Sequence, residues 1–500
     1  MLRKTLLPTI LTILAYGFWV NPDFKEIAAG VAIFLFGMLS LEQGFRSFTG
    51  GVLEKILRYS TDKLWKSITF GVVSTTIMQS SSLVSVITIS FLSAGLIGLA
   101  AGVGIIFGAN LGTTTGAWLV AGFGLKVKIS AYAMPMLVFG VILIFQNSKP
   151  LKGLGYILGG LGFLFLGIHH MKEGFEAFKS TIDLTQFSVG GYPGLFIFAA
   201  IGMFATVVMQ SSHATLVLII TALAAQQISY ENALALAIGA NIGTTITAII
   251  GAMSANEQGR RLAGAHLIFN LVTGLIAIVF IQQFILAVNW VSVATGIGAE
   301  DYTLKLAVFH TLFNLVGVVV MIPFLNLLVD FLEGFIVAKQ IDKVDPKFLN
   351  AASVDFPDTA VEAVRNETLH VYDNTCELIL NGISLYQGDI GSGQSLEEVV
   401  EERNRVLDID IDVEYENNIK GLYSAIISFI SQTSFSWEEE QSGTLHWLRA
   451  ANQKLVAALK DVKHLRKNMI QHLASPNPHI RQEYNLIRIQ IATVPQCFGS

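Results

Sequence analysis

The chain has 500 residues, 52% of them hydrophobic and only 14% charged, with 45 glycines and a mean hydropathy of +0.58. Such a composition excludes an ordinary soluble enzyme. Residues 1–340 carry 18 Lys/Arg and 14 Asp/Glu, and residues 341–500 carry 14 and 23, so a sparsely charged membrane part precedes an acidic, solvated one, and neither has the basic field that nucleic acid requires.

Arg3 and Lys4 precede a mostly apolar run, Leu6 to Val20, that is followed by no small-residue cleavage site. A retained helix is expected there instead of a signal peptide. From about residue 26 to 340 the apolar stretches are often only 12 to 18 residues long and are broken by Gly, Ser, Thr or Asn. A full span needs about 20 residues, and short paired segments are what discontinuous helices and re-entrant hairpins use.

Internal symmetry supports that reading. Gly71 to Ser82 (GVVSTTIMQSSS) matches Gly202 to His213 (GMFATVVMQSSH), and Gly108 to Thr114 (GANLGTT) matches Gly239 to Thr245 (GANIGTT), both at an offset of 131. Gly37 to Phe45 matches Gly167 to Phe175 at 130. Rare Gln and Asn positions in one register mark a true repeat, placed at roughly 28–120 and 158–250. Two longer apolar stretches near 262–283 and 303–327 carry His266/Asn270 and His310/Asn314, each at i and i+4 on one face. Hydrogen-bonded links between helices are the favoured role for these four, since no carboxylate or Cys accompanies them as a metal site would demand.

Charge rises after Glu333, and from about 352 the pattern is of soluble helices. One helix is expected near 358–386 and, after a break at Gly388, Gly391 and Gly393, another over about 395–430. Leu445, Leu448, Leu455, Leu459, Val462, Leu465 and Met469 recur as one buried stripe of a third. A bundle of three or four members follows. Asp408, Asp410 and Asp412 lie near Glu401 and Glu402, a run favoured as a solvated helix face over a divalent-metal site. Cys376 and Cys497 have no CxxC or His cluster, so no disulfide framework or zinc site is indicated.

Gln79-Ser80-Ser81-Ser82 and Gln210-Ser211-Ser212 set amides and hydroxyls inside apolar sequence, one turn after Thr75, Thr76 and Thr206. Each buried amide or hydroxyl costs about 2–7 kcal/mol without a partner. If each QSS is a hairpin tip, N–H groups and Ser hydroxyls of the second half-helix donate to an oxyanion, while carbonyls ending the first half-helix, with Gln and Thr oxygens, accept a small cation. Back-bonding to their own helix is the alternative for a single QSS, and two in register weigh against it. Gly108, Gly112, Gly239 and Gly243 are read as close helix packing. Asn110 and Asn241, followed by Thr113, Thr114, Thr244 and Thr245, either bind ion and substrate or link helices. Residues 67–125 and 192–230 contain no Arg, so an arginine clamp is disfavoured. Phosphate-loop, HExxH and GxSxG elements are absent, so no enzyme chemistry and no catalytic residue is expected, and energy must come from a gradient or a partner.

With its paired QSS and GAN(L/I)GTT motifs and its HxxFN segments, over about residues 28–320, the chain resembles the bacterial sodium-dependent phosphate cotransporters of the type II family. The C-terminal part resembles the PhoU-type helical domain through Arg405 to Asp412 and the flanking helices. The resemblance implies an all-α polytopic fold with two inverted repeats containing re-entrant hairpins, residues 1–340, and a soluble cytoplasmic helical domain, residues 352–480. It implies sodium-coupled movement of inorganic phosphate across the cytoplasmic membrane by alternating access. Carried over, the anion site is Gln79, Ser80, Ser81, Ser82, Gln210, Ser211 and Ser212. Sodium ions then fall to Thr75, Gln79, Asn110, Thr113, Thr206, Gln210, Asn241 and Thr244. No cofactor and no metal other than sodium is expected; the C-terminal domain is a candidate surface for a cytoplasmic regulator or self-association. The second motif departs from QSSS at His213, a titratable ring able to alter pH dependence or selectivity. A phosphate-sensing regulator without net transport, a related anion transporter or exporter, and an uncoupled channel remain alternatives.

Overall fold

A computed structural model describes residues 2–49, 61–125, 130–178, 189–252, 257–336, 344–390, 394–403, 406–407, 409–433, 439–473 and 475–496. Asp408, Gly391, Gly393, Arg405 and Cys497 lie outside these. Among the described residues there are helices and turns and no strand, so the chain is all-α. It divides into two compact units, Met1–Leu92 with Ile97–Val337, and Ser93–Leu96 with Ala338–Ser500.

The first unit contains α1 (Leu2–Val20), α2 (Pro22–Thr49), α3 (Leu64–Met78), α4 (Ser81–Ser93), α5 (Leu99–Trp118, continued by a π turn over Leu119–Gly124), α6 (Ser130–Ile144) and α7 (Lys149–Phe178). Then follow α8 (Gly191–Met209), α9 (Ser212–Ala224), α10 (Tyr230–Ala252), α11 (Glu257–Val279), α12 (Ile281–Thr295), α13 (Tyr302–Met321) and, after one 3₁₀ turn, α14 (Leu325–Phe335). Six stretches, Asp23–Phe45, Leu99–Gly124, Lys149–Ala177, Gly191–Met209, Glu257–Val279 and Tyr302–Phe335, are long and apolar enough to cross a bilayer. Trp19, Phe139, Phe204, Trp290 and Val293 each expose more than half their surface, which suits lipid and not water. This is a multi-pass membrane unit.

Glycine sets its closest helix contacts. An added Cβ at Gly71 would sit 2.1 Å from Ile105 O and one at Gly108 2.0 Å from Ile68 O. In the second repeat the distances are 2.1 Å from Gly202 to Leu236 O and 1.8 Å from Gly239 to Ala199 O. All four pairs correspond at the offset of 131, so the sequence repeat returns as a repeated crossing, α3 on α5 and α8 on α10. Between α2 and α7 a second pattern runs: Gly30, Gly37 and Gly44 oppose Gly174, Gly167, Gly160 and Gly153 at seven-residue spacing along antiparallel helices. A Cβ at Gly37 would meet Leu164 N at 2.6 Å, and one at Gly167 would meet Phe34 N at 2.6 Å. Small residues let backbones approach where lipid supplies no hydrophobic drive.

The second unit uses other means. Besides one helical turn at Gln387–Ile390, its α-helices are α15 (Pro357–Gly382), α16 (Leu396–Glu402), α17 (Ile411–Tyr415), α18 (Gly421–Gln432), α19 (Glu439–Leu473) and α20 (Pro478–Gln496). Ala94, Val364, Val371, Ile419, Leu422, Ile426 and Leu459 share one core. Ser93–Leu96 is held inside this unit: Asn350 Nδ2 donates to Ser93 Oγ at 3.2 Å and Asn366 Nδ2 to Ala94 O at 2.7 Å. The fully buried Arg488 donates to the carbonyls of Ile383, Ser384, Val400 and Arg403 at 2.9–3.2 Å, tying three segments together, and burial pushes its pKa down to about 10. The expected stripe on α19 holds at Leu445, Leu459, Val462 and Met469, but Leu465 is 39% exposed and Val456 is buried in the pattern instead. The continuous helix expected over 395–430 is broken between α16 and α17. Asp410 is the reason: its carboxylate accepts from Asp412 N and Val413 N and starts α17 afresh. Asp412 pairs with Lys463. Within the described part of the acidic run, Asp410 is thus a cap, Asp412 an exposed ion-pair partner on α17, and Glu401 and Glu402 are exposed on α16.

Candidate functional site

Each QSS is a helix break. α3 ends at Gln79 with φ 51° and ψ 25°, and α8 ends at Gln210 with φ 53° and ψ 23°. The left-handed region costs a non-glycine residue about 1–2 kcal/mol, and here it is occupied twice at matching positions by a residue whose side chain is polar. The next helix starts at once. Ser80 Oγ accepts from Leu83 N at 3.3 Å, and Ser211 Oγ accepts from Ala214 N at 3.1 Å, so each first serine caps the half-helix that follows.

The two tips open onto one cavity of about 310 Å³, lined by Gln79, Ser80, Ser81, Ser82, Thr113, Gln210, Ser211, Ser212 and His213, with Leu35, Met38, Leu39, Glu42 and Met209. All seven residues expected at an anion site line it. The volume falls in the range of small-ligand sites. Two helix N-termini converge there with hydroxyls, and no Lys or Arg is among the lining residues.

The residues expected to hold sodium divide. Gln79, Gln210 and Thr113 line the cavity; Thr75, Thr206, Asn110, Asn241 and Thr244 are buried away from its lining. Thr75 Oγ1 is buried with no hydrogen-bond partner, whereas Thr206 Oγ1 donates to Thr215 Oγ1 at 2.9 Å. Asn110 Nδ2 donates within its own helix, to Ile106 O at 2.9 Å. Asn241 instead joins three helices. Its Nδ2 donates to Asn314 Oδ1 at 3.0 Å and lies 3.4 Å from Asn270 Oδ1, and Asn270 Nδ2 donates back to Asn241 O at 3.0 Å. The two HxxFN asparagines are thus helix links, as expected, but their histidines are not: both ring nitrogens of His266 and Nδ1 of His310 are buried without a partner.

His213 fills space that a glycine leaves. A Cβ on Gly116 would lie 2.1 Å from His213 Cε1, and Phe34 flanks the ring at 5.7 Å between centroids. What the sequence reading missed is the wall from α2. Met38, Leu39 and Glu42 belong to the third repeat match, which had served only to fix register, and Ser211 Oγ meets Met38 Sδ at 3.7 Å.

The profile of the Na+/Pi-cotransporter family matches residues 33–173 and 195–308. The chain is similar to the uncharacterized protein YqeW of Bacillus subtilis, 30% identical over 251 residues that cover 49% of this chain and 79% of that protein. It is also similar to a protein of Escherichia coli K12 named "Putative inorganic phosphate export protein YjbB", 26% identical over 363 residues, 72% of this chain and 64% of that protein. The Salmonella typhimurium protein of the same name is 25% identical over 362 residues, with the same 72% and 64% coverage. No solved structure matches.

Proposed function

The chain belongs to the Na+/Pi-cotransporter family, and on that premise we propose that it carries inorganic phosphate across the cytoplasmic membrane by sodium-coupled alternating access, binding the anion between the two QSS tips. The observation that supports this reading is the single cavity on which both left-handed glutamines and both capped half-helices converge. Half-helix N-termini and Ser hydroxyls replace the water around an oxyanion without a fixed cation. The charge of a bound phosphate then has to be offset by ions that enter with it. Sodium ions are assigned to the Gln and Thr oxygens and half-helix C-terminal carbonyls beside the tips, with Thr75 Oγ1 the first candidate because it lacks a partner.

The helical second unit is assigned a PhoU-like, cytoplasmic regulatory role. Its all-helical core and its acidic charge support this. Direction is open to assay, since the E. coli relative is named for export.

Radiolabelled phosphate flux in proteoliposomes, with sodium gradients of both signs, tests the proposal beside a Ser81→Ala/Ser212→Ala double variant. Two lost hydrogen bonds to a charged ligand, about 1.5–3 kcal/mol each, predict a fall of about a hundredfold or more. Flux indifferent to sodium would replace the cotransporter by a facilitator. Phosphate binding without flux in either direction would replace it by a sensor.

A further inference from the structure

Where α2 begins and α7 ends, glycine again brings two backbones together. A Cβ on Gly30 would lie 2.5 Å from Met171 N, and one on Gly174 2.8 Å from Ile27 N. Beside these contacts stand Glu26 on α2 and His170 and Glu173 on α7. The ligating oxygens and ring nitrogen of the three lie within 4.8 Å of one another. His170 Nδ1 is hydrogen-bonded to Glu26 Oε1, and the neighbouring His169 Nε2 lies 3.2 Å from Glu173 Oε1.

We propose that Glu26, His170 and Glu173 form a binding site for a divalent transition-metal ion of the zinc type, separate from the cavity between the QSS tips. An imidazole nitrogen with two carboxylates suits zinc, whose ligands sit at about 2.0–2.2 Å and whose fourth position water can take. Calcium and magnesium favour oxygen alone. Two carboxylates gathered within 4.8 Å of each other and of one imidazole repel each other unless a cation or proton lies between them. His169, through Glu173, is placed to orient a ligand carboxylate. All three groups are partly exposed at the charged ends of two membrane spans, so a hydrated ion has access.

Packing does not require this trio. At the offset of 130 the matching positions are Tyr156 for Glu26, Ser40 for His170 and Gln43 for Glu173. The same crossing is built there, with Gly160 meeting Leu41 N at 2.7 Å and Gly44 meeting Gly153 O at 2.8 Å. The pseudo-symmetric end reaches an equal backbone approach with neither carboxylate nor imidazole at the matching positions. A His170–Glu26 pair and a His169–Glu173 pair at the surface would each contribute little, and neither accounts for Glu173 also lying within 4.8 Å of Glu26 and His170.

Zinc ions titrated into the purified full-length protein against a fluorescent zinc chelator test the site directly. About one equivalent should bind, with affinity falling about tenfold or more in each of Glu26→Gln, His170→Gln and Glu173→Gln. Glu176→Gln, which alters an exposed carboxylate outside the trio, should bind as the parent does. His170→Gln keeps a side chain of similar reach, and elution of each variant at the parent volume separates lost binding from misfolding. Absence of saturable uptake, or equal affinity in parent, Glu26→Gln and His170→Gln, would overturn the proposal.

Discussion

The two hairpin repeats share a backbone and diverge in their side chains. Gln79 and Gln210 agree within 2° in both φ and ψ, and each is followed by a capping serine. Around that common frame the partners differ. Gln79 Nε2 donates to Thr76 O at 2.6 Å and to Thr115 Oγ1 at 3.2 Å, while the position matching Thr115 in the second repeat is Ile246. Asn110 bonds within its helix and Asn241 ties three helices. Ser82 becomes His213, and the ring takes the room left by Gly116. What recurs is thus the break that presents N–H groups and hydroxyls, and what varies is the support behind it and one lining position, Ser82 against His213.

Glycine substitution should strike both repeats and have the largest effect. Gly108→Leu and Gly239→Leu each drive a side chain into a backbone carbonyl that a Cβ alone would meet at 2.0 and 1.8 Å. Neither variant should yield monodisperse protein on size exclusion, and a folded Gly239→Leu protein would break the equivalence of the two crossings. Next in size is a split between stability and transport. Gln79→Gly and Gln210→Gly relieve a left-handed strain of about 1 kcal/mol. They should leave Tm unchanged or raised while phosphate flux falls about tenfold or more, the loss of one hydrogen bond to a charged ligand. A matching fall in Tm would show that the glutamines serve the fold first.

Much of this was legible in the sequence, because a repeat is a comparison the chain makes with itself. Gln and Asn are rare in apolar segments, so their recurrence at 131 residues exposed the tips and the GAN helices, and the seven residues expected to hold the anion are set around one cavity. The α2 wall was not legible. Leu39 and Glu42 match His169 and Lys172 in the alignment of the repeats, so no shared chemistry marked them, and only the folded structure shows that they line the cavity. The Glu26/His170/Glu173 cluster joins residues 144 positions apart on two helices, a separation that no local motif records. Broken helices in the second unit escaped for another reason. Asp410 reads as one of several acids until its carboxylate is seen accepting two backbone N–H groups.

His213 and Gly116 offer a reciprocal test. Gly116→Ala places a methyl 2.1 Å from the imidazole and, as overpacking, should cost about 1–3 kcal/mol in denaturant unfolding. In the His213→Ser background, which restores QSSS, the same alanine should cost little, so the double-mutant cycle returns a coupling close to the single-variant loss. Additive effects would mean that the ring is not what fills the glycine space.

The asparagines should show the smallest difference and the most informative one. Asn241→Ala strands Asn314 Oδ1 and Asn270 Oδ1 in a buried site, and an unsatisfied group there costs about 1–3 kcal/mol. Asn110→Ala removes a bond made to its own helix, at Ile106 O, and frees only a carbonyl that still pairs along the helix. Unfolding in detergent should therefore rank Asn241→Ala below Asn110→Ala in stability by about 1 kcal/mol or more. Sodium dependence of flux then separates support from site. If Asn241 only links helices, Asn241→Ala lowers stability and leaves the half-saturating sodium concentration alone. If it also contacts the ion, that concentration rises even in protein that remains folded, and Asn110→Ala should raise it too, because the two asparagines occupy matching places.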